Sequence, residues 1–477
     1  MLVPAVATAP AAVIDVLDPD DGSLVGTVPA ASATDVEAAL ARAVDGARTS
    51  RRLPVHRRIE ILGVTASLLD ARREAFATTI AREGIKTIRE ARAEAARAAE
   101  TLRLSAEEAR RVVGETIPFD QRAGSEGKVG YWIREPIGVV VAITPFNDPL
   151  NLVAHKVGPA IAAGNAVIVK PHSATPLSAI RLAEAFADAG LPPSILQVVA
   201  GRGAEIGDRL VSDPRVAMVS FTGGPEVGDR VVRLAGRKKL GLELGANSPA
   251  IVLADADLAA AADAIASGGF WAAGQNCLHV QRVIVERSVA PTFRELLVAA
   301  TKRLVSGPKL DEATDVGPVI SDAAADRIMA TIAQAVALGG QVVAGGTRVG
   351  RRIAPTIVDG LPRTSRLARE EVFGPVVGII EVDSLDEAIA VANEVEQALH
   401  ACVFTRDLGS AMRVVHEVDA GGVLVNESTD YRIDSMPFGG VKGSGLGREG
   451  VPFAVREMTT TKVVCLNLSP RNAGRDE

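Results

Sequence analysis

The sequence predicts an α/β protein: a doubly wound parallel sheet, a second α/β region, and a small β element. Three observations carry this. Short, uniformly apolar, β-branched runs occur at 137–144 (IGVVVAIT), 166–170 (AVIVK), 195–200 (ILQVVA) and 216–221 (VAMVSF). Strands apolar on every side chain are buried on both faces, which places them in a parallel sheet. Helical segments separate these runs, and a ligand crevice is expected beyond the strands' carboxyl ends, in the manner of nucleotide-binding sheets. A further α/β stretch covers 244–435.

In chain order, residues 1–14 carry no charge and no basic leader, and Pro4 and Pro10 break helical periodicity, so a loose arm is expected. Residues 34–48 read as an amphipathic helix opened by a capping box of Thr34 and Glu37. Segments 55–82 and 85–113 are Ala/Arg/Glu-rich and helical in period, their arginine face reading as solvated surface. Two strand-like stretches in 115–135 flank the turn 123–127, which predicts a hairpin. A helix with Thr175 as N-cap, Pro176 at its first position and Gly190 just past its end follows the second strand. Ser384 and Glu387 form another capping box. Residues 459–467 (TTTKVVCLN) read as a strand, followed by a polar end.

Composition narrows the function. Of 477 residues 47% are hydrophobic and 23% charged, as in ordinary globular proteins, and the length suits about three domains. A net charge of −6 without a basic stripe argues against nucleic-acid binding. No apolar run reaches about 18 residues, so no membrane helix is expected. Three scattered cysteines form neither a disulfide framework nor a thiolate cluster, and six histidines show no zinc spacing. No metal is expected, and a reducing cytoplasm is the expected compartment.

Several residues could carry chemistry. Cys277 follows Gly274-Gln275-Asn276, where small residues permit close approach to a ligand; by itself it reads more readily as a buried structural cysteine, as Cys402 and Cys465 do. Glu243 lies in the apolar run Leu242–Leu244 before a turn, where burial should raise its pKa toward that of a general base unless it forms a structural ion pair. Phe221-Thr222-Gly223-Gly224-Pro225 closes a strand and opens a helix, a place for a phosphate. Asn147 follows the first strand and could donate to an oxyanion. Lys170 ends the second.

The order and spacing of these residues are recognisable. The chain resembles the aldehyde dehydrogenase superfamily from about residue 14 to 466. The matching blocks are EPIGVVVAITPFNDPL (135–150), GPAIAAGNAVIVKP (158–171), VSFTGGPEVG (219–228), LELGANSPAIV (242–252), GQNC (274–277), EEVFGPV (370–376) and MPFGGVKGSGLGREG (436–450). The 34-residue step from Glu243 to Cys277 also matches. The resemblance implies a cofactor domain (1–114 and 136–243, with 436–454 returning to it), a catalytic domain (244–435) and an oligomerisation element (115–135 and 455–470), hence a homodimer or homotetramer. It implies that Cys277 is the nucleophile, Asn147 and the Cys277 N–H the oxyanion hole, Glu243 the base that activates water, and Lys170 and Glu371 the residues that hold the two cofactor riboses. Phe373 stands beside Glu371. Ile143, Thr144, Pro145, Phe146, His172, Ser173, Gly203, Gly207, Phe221, Thr222, Gly223, Gly224, Val227, Leu244 and Gly245 are assigned to the cofactor by the same resemblance.

Departures from the family pattern bear on specificity. NAD-preferring members carry KPxE; here Ser173 stands in the glutamate position, which favours acceptance of NADP, beside or instead of NAD. Gly224 replaces a usual serine and Phe146 a frequent tryptophan. Arg103, His155, Asn276, Tyr431 and Arg432 fall at pocket positions, and the loop 426–432 looks like that of lactaldehyde and phosphonoacetaldehyde dehydrogenases. His155 stands where succinate-semialdehyde relatives have arginine. Two or three cations there would favour a small anionic or hydroxylated aldehyde, unless Arg432 pairs with Asp430 or Asp434 and Arg103 with Glu100 or Glu107. A CoA-acylating enzyme and a non-catalytic relative are the competing readings.

Overall fold

The alternation of strands and helices builds two large sheets. The computed structural model describes residues 12–468. The first sheet runs in the order Gly445–Leu446, Lys239–Glu243, Val216–Thr222, Val139–Ile143, Ala166–Lys170, Leu196–Val198, with only the first edge strand antiparallel. Successive valines of Val139–Ile143 point to opposite faces. Val140 and Ala142 meet the helices Val55–Ala71, Ile88–Glu108 and Asn151–Ala162, while Val139 and Val141 meet Ala33–Arg52 and Pro225–Ala235. Both faces are therefore dry, as the run of apolar residues requires. Val455 and Met458, on and just after the helix Val451–Glu457, return to this core.

The second sheet has seven strands, Gln341–Ala344, Thr356–Asp359, Val376–Val382, Val280–Glu286, Ser248–Val252, His400–Phe404 and Gly422–Val425, all parallel except the first. A separate three-stranded sheet joins Glu115–Ile117, Lys128–Pro136 and Thr459–Asn467, the last pairing along its whole length. The predicted hairpin is thus present, and the strand of the tail completes it.

Local boundaries differ from the sequence reading in instructive ways. The first helix is capped one turn-fraction earlier: Ser32 Oγ accepts from Asp35 N–H at 3.2 Å and Asp35 returns the bond, while Glu37 pairs with Arg215. Residues 55–82 break into Val55–Ala71 and Arg73–Glu83, and 85–113 shortens to Ile88–Glu108, opened by a Thr87–Glu90 capping box. The third strand contracts to Leu196–Val198. Ser384 does cap its helix, but Glu387 returns to Asp383 N–H instead. Val13 and Ile14 belong to the strand Val13–Leu17; the rest of the expected arm and most of the polar end lie outside the described residues.

Thr175 is no N-cap. The helix Leu177–Asp188 starts later, and its first N–H groups, from Leu177 and Ser178, are taken by the distant Glu83 carboxylate at 2.7 and 2.8 Å. Thr175 Oγ1 is buried without a partner. A charged cap from another helix is the stronger acceptor. Glu83→Ala should therefore lower stability by about 2–3 kcal/mol in chemical denaturation, while Thr175→Val should be nearly neutral. Equal losses would show that the side chain at 175 caps the helix after all.

Candidate active site

Parallel register gathers the first group of residues. Ile143 lies level with Lys170 on one side and Phe221 on the other, and Thr222 lies level with Glu243. The strand order reverses around Val139–Ile143, so a crevice opens beyond these carboxyl ends. Lys170 is buried, its Nζ held among the described residues only by Pro171 O at 3.3 Å, and desolvation lowers its pKa to about 8. No carboxylate is bonded to it; Ser173 follows three residues on. The hydroxyls of Thr144 and Thr222 are likewise buried and unpartnered. The helix Pro225–Ala235 starts at Gly224 without a side-chain cap, with open space where Gly224, Gly203 and Gly207 would carry a Cβ. Val227 on its first turn is exposed. An unpaired cation, free hydroxyls and an uncapped helix end fit a polyhydroxylated diphosphate such as a pyridine dinucleotide.

Phe146 bridges two sides of the crevice, edge-on to His172 at 5.3 Å and to Phe373 at 5.8 Å between ring centroids. Burial lowers the His172 pKa to about 4, so its ring is neutral. Phe373 holds φ 43°, a left-handed conformation uncommon for an aromatic residue. Beside it, burial raises the Glu371 pKa to about 7 against the pull of a hydrogen bond from Ala246 N–H at 3.0 Å. A Cβ on Gly245 would come within 2.3 Å of Glu371 Oε2, so a larger residue there would push that carboxylate aside.

Cys277 sits just before the strand Val280–Glu286 of the second sheet. Three left-handed residues precede it: Ala272 and Ala273 at φ 52° and Gly274 at φ 66°. Each alanine costs about 1–2 kcal/mol in that conformation. Surrounding bonds hold the loop: Gln275 reaches Ala272 O and Pro318 O, and Asn276 joins Trp271 O to Leu278 N–H. Asn276 thus braces the loop through both ends of its amide. Among the described residues, neither the Asn147 amide nor the Cys277 N–H makes a hydrogen bond, although Asn147 is buried. Burial raises the Cys277 thiol pKa, with Arg432 opposing and Glu243, Glu371 and Asp148 adding to it, so the resting group is a thiol. Cys402 is buried as expected, but Cys465 is exposed, because its strand lies at the edge of the three-stranded sheet.

Glu243 is buried with one carboxylate oxygen unpartnered. Burial raises its pKa well above the carboxylate range, and the neighbouring Glu449 adds to this, against Lys156, Arg432 and Arg448. Lys156, fully buried, donates to Glu449 at 2.6 Å and to Ser220 at 2.9 Å. The sequence reading missed this pair, although a lysine inside the apolar helix NLVAHKVGPAIA was a visible signal.

The pocket positions divide. Arg432 pairs with neither Asp430 nor Asp434. Its guanidinium lies 3.7 Å from the Phe438 ring centroid and 4.0 Å from Glu449, with Nε and Nη2 buried and unpartnered. His155 is not a cation: burial, then Arg432, lower its pKa despite Asp434. Asp434 stays ionised under bonds from His155 at 2.9 Å and from Arg97, also missed from sequence, at 2.7 Å. An ionised Asp434 only accepts, so His155 Nε2 donates to it and the buried, unpartnered Nδ1 is an acceptor. Arg103 is displaced from the site altogether: it faces solvent and pairs with Asp70 and, more weakly, Glu100. Tyr431 is exposed.

Among the described residues no histidine, cysteine or carboxylate cluster could hold a metal, and no helix is long and apolar enough to cross a membrane.

The aldehyde dehydrogenase family model matches residues 6–464, so the chain belongs to the aldehyde dehydrogenase family of oxidoreductases. It is 48% identical to aspartate-semialdehyde dehydrogenase 1 of Pseudomonas canavaninivorans, over 95% of this chain and 97% of that one. It is 44% identical to a 3-sulfolactaldehyde dehydrogenase of Priestia megaterium, over 92% and 91%. The structure superposes with a TM-score of 0.94 and 39% identity on NADP-dependent glyceraldehyde-3-phosphate dehydrogenase of Bacillus halodurans complexed with NADP, covering 96% of each chain.

The electrostatics of Glu243 are testable without substrate. An infrared difference spectrum between wild type and Glu243→Gln should retain a protonated-carboxyl band at pH values where exposed glutamates are already ionised, because burial disfavours the charged form. A band that disappears together with those of the exposed carboxylates would mean that Glu243 is an ordinary ionised carboxylate.

Proposed function

We propose that this protein oxidises a small anionic or hydroxylated aldehyde to the carboxylic acid, with NADP or NAD as hydride acceptor. One observation carries the substrate class: Arg432, a cation with a largely buried side chain and two nitrogens free of hydrogen bonds, paired only loosely with Glu449 at 4.0 Å, whose charge reaches both Cys277 and Glu243. Unsatisfied buried donors cost about 1–3 kcal/mol each, a cost that an anionic substrate group would remove. The acceptor Nδ1 of His155 suits a substrate hydroxyl. The named substrates of the relatives above, a semialdehyde of aspartate, a sulfonated aldehyde and a phosphorylated aldehyde, are all small and each bears an anionic group, which supports the same reading.

In this reading the Cys277 thiol gives its proton to solvent water, and Sγ bonds to the carbonyl carbon as the C=O π pair moves onto oxygen. The oxygen that becomes negative is received by the Asn147 amide and the Cys277 N–H, both free to donate. Donors already in place are worth about 10²–10³ in rate each. The nicotinamide, when bound, supplies the hydride acceptor. Glu243 then takes a proton from the water that attacks the thioester, freeing the acid and the thiol. Its raised pKa makes it a better base than an exposed carboxylate, and its ionised fraction grows with pH. Lys170 and Glu371 hold the cofactor riboses in this scheme. Ser173, which leaves Lys170 without a competing carboxylate, favours NADP.

Arg432→Met should lower kcat/KM for succinate semialdehyde or phosphonoacetaldehyde about 10²-fold, with less than about a threefold change for propionaldehyde. Equal losses on charged and neutral aldehydes would refute an anion-binding role. Water as acyl acceptor predicts that added CoA leaves the rate unchanged; acyl-CoA among the products would establish the acylating alternative.

We also infer that the three-stranded sheet pairs with a second copy of the chain. Val129, Tyr131, Val463 and Leu466 are exposed on it, and the strand Thr459–Asn467 is an open edge. Light scattering at micromolar concentration should give a dimer or tetramer; a monomer would contradict this.

A further inference from the structure

The beginning of the helix Ile88–Glu108 lies outside the residues that do chemistry, yet three of its buried or half-buried charges reach both halves of the oxyanion site. Lys86, just before the Thr87 cap, is almost fully buried and donates to Glu94 at 2.9 Å and to Asp148, the residue after Asn147. Glu94 uses its other oxygen to accept from Leu150 N–H at 2.8 Å and Asn151 N–H at 3.0 Å. The loop that carries Asn147 is thus tied at 148, 150 and 151. On the other side, Glu90 closes its own capping box on Thr87 N–H with one oxygen and accepts from Ala272 N–H at 2.7 Å with the other. Ala272 is the first of the left-handed residues before Cys277. The Lys86 ammonium also lies 4.6 Å from the ring centroid of Trp271, the residue before it.

We propose that Lys86, Glu90 and Glu94 are positioning residues that set the gap between the Asn147 amide and the Cys277 N–H. The proposal rests on the reading of those two groups as the oxyanion hole. The two loops come from different sheets and share no strand pairing, so their separation must be fixed by something that touches both. One helix end does so with buried, charge-assisted bonds, which are short and directional. Lys86 has a second effect. Asp148 is one of three carboxylates whose charge bears on the Cys277 thiol, with Glu243 and Glu371, and Arg432 is the opposing cation. The ammonium on Asp148 offsets that charge where a thiolate must form.

Glu90→Ala, Glu90→Gln and Lys86→Met test this in the full-length protein. Glu90→Ala should lower kcat about 10–100-fold, with KM for aldehyde and cofactor within about threefold, because only the forming oxyanion is affected. Glu90→Gln keeps an acceptor for Ala272 N–H and should recover most of the rate, which a merely structural carboxylate would not explain. Lys86→Met should slow iodoacetamide alkylation of Cys277, read by peptide mass spectrometry at fixed pH, at least about threefold. That measurement needs no substrate, so it decides the proposal even if the wild-type protein oxidised no aldehyde, the result that would sink the functional reading instead. It also decides if Glu90→Ala does not fold. Unchanged alkylation in Lys86→Met, or unchanged kcat in a folded Glu90→Ala, would overturn the proposal.

Discussion

The constraint on which the rest depends is the burial of charge at the seam between the two large sheets. Lys156 on an otherwise apolar helix, Glu449 in the returning segment, Glu243 at a strand end and Arg432 from the second region all meet there. Such charges are tolerable only when paired, hydrogen-bonded or neutralised. Lys156 holds one oxygen of Glu449, and the other is buried without a hydrogen bond, 4.0 Å from Arg432. Burial pushes the pKa of Glu243, next to that pair, well above the carboxylate range. Arg432 lies on the face of Phe438 with Nε and Nη2 free of hydrogen bonds. The seam therefore contains one close ion pair and hydrogen-bonding capacity on Glu243, Glu449 and Arg432 that a reactant could meet.

Close approach of the two sheets is what creates this seam, and it relies on missing side chains. A Cβ on Gly245, just past the strand Lys239–Glu243 of the first sheet, would come within 2.3 Å of Glu371 Oε2, on a loop of the second. The carboxyl ends of one sheet thereby meet the loops that enter the neighbouring strands Val280–Glu286 and Val376–Val382 of the other. Cys277 and Glu371 are carried on those two loops. The helix end at Lys86, Glu90 and Glu94 spans the same junction from the side.

Much of this was readable from the sequence because the signals were local. Apolar runs marked the parallel strands, and the Gly-rich blocks around Glu243 and Cys277 marked a site. What stayed hidden depended on partners distant in sequence. Glu83 caps a helix more than ninety residues away, so the local Thr175-Pro176 pattern misled. His155 looked like a cation until burial and the Arg97–Asp434 pair made it neutral. Arg103 looked like a pocket residue because its neighbour one helical face away, Arg97, is the one that turns inward. Lys86 and Glu90 carried no local signal, since nothing in their own neighbourhood says that Asp148 and Ala272 face them.

The central claim is that Cys277 carries the acyl group and Glu243 releases it. The most direct measurement is intact-peptide mass spectrometry of Glu243→Gln, acid-quenched after mixing with an oxidisable aldehyde and NADP. The account predicts one equivalent of reduced cofactor formed in a burst, and an acyl mass on the peptide containing Cys277. No adduct, or an adduct on Cys402 or Cys465 instead, would contradict it.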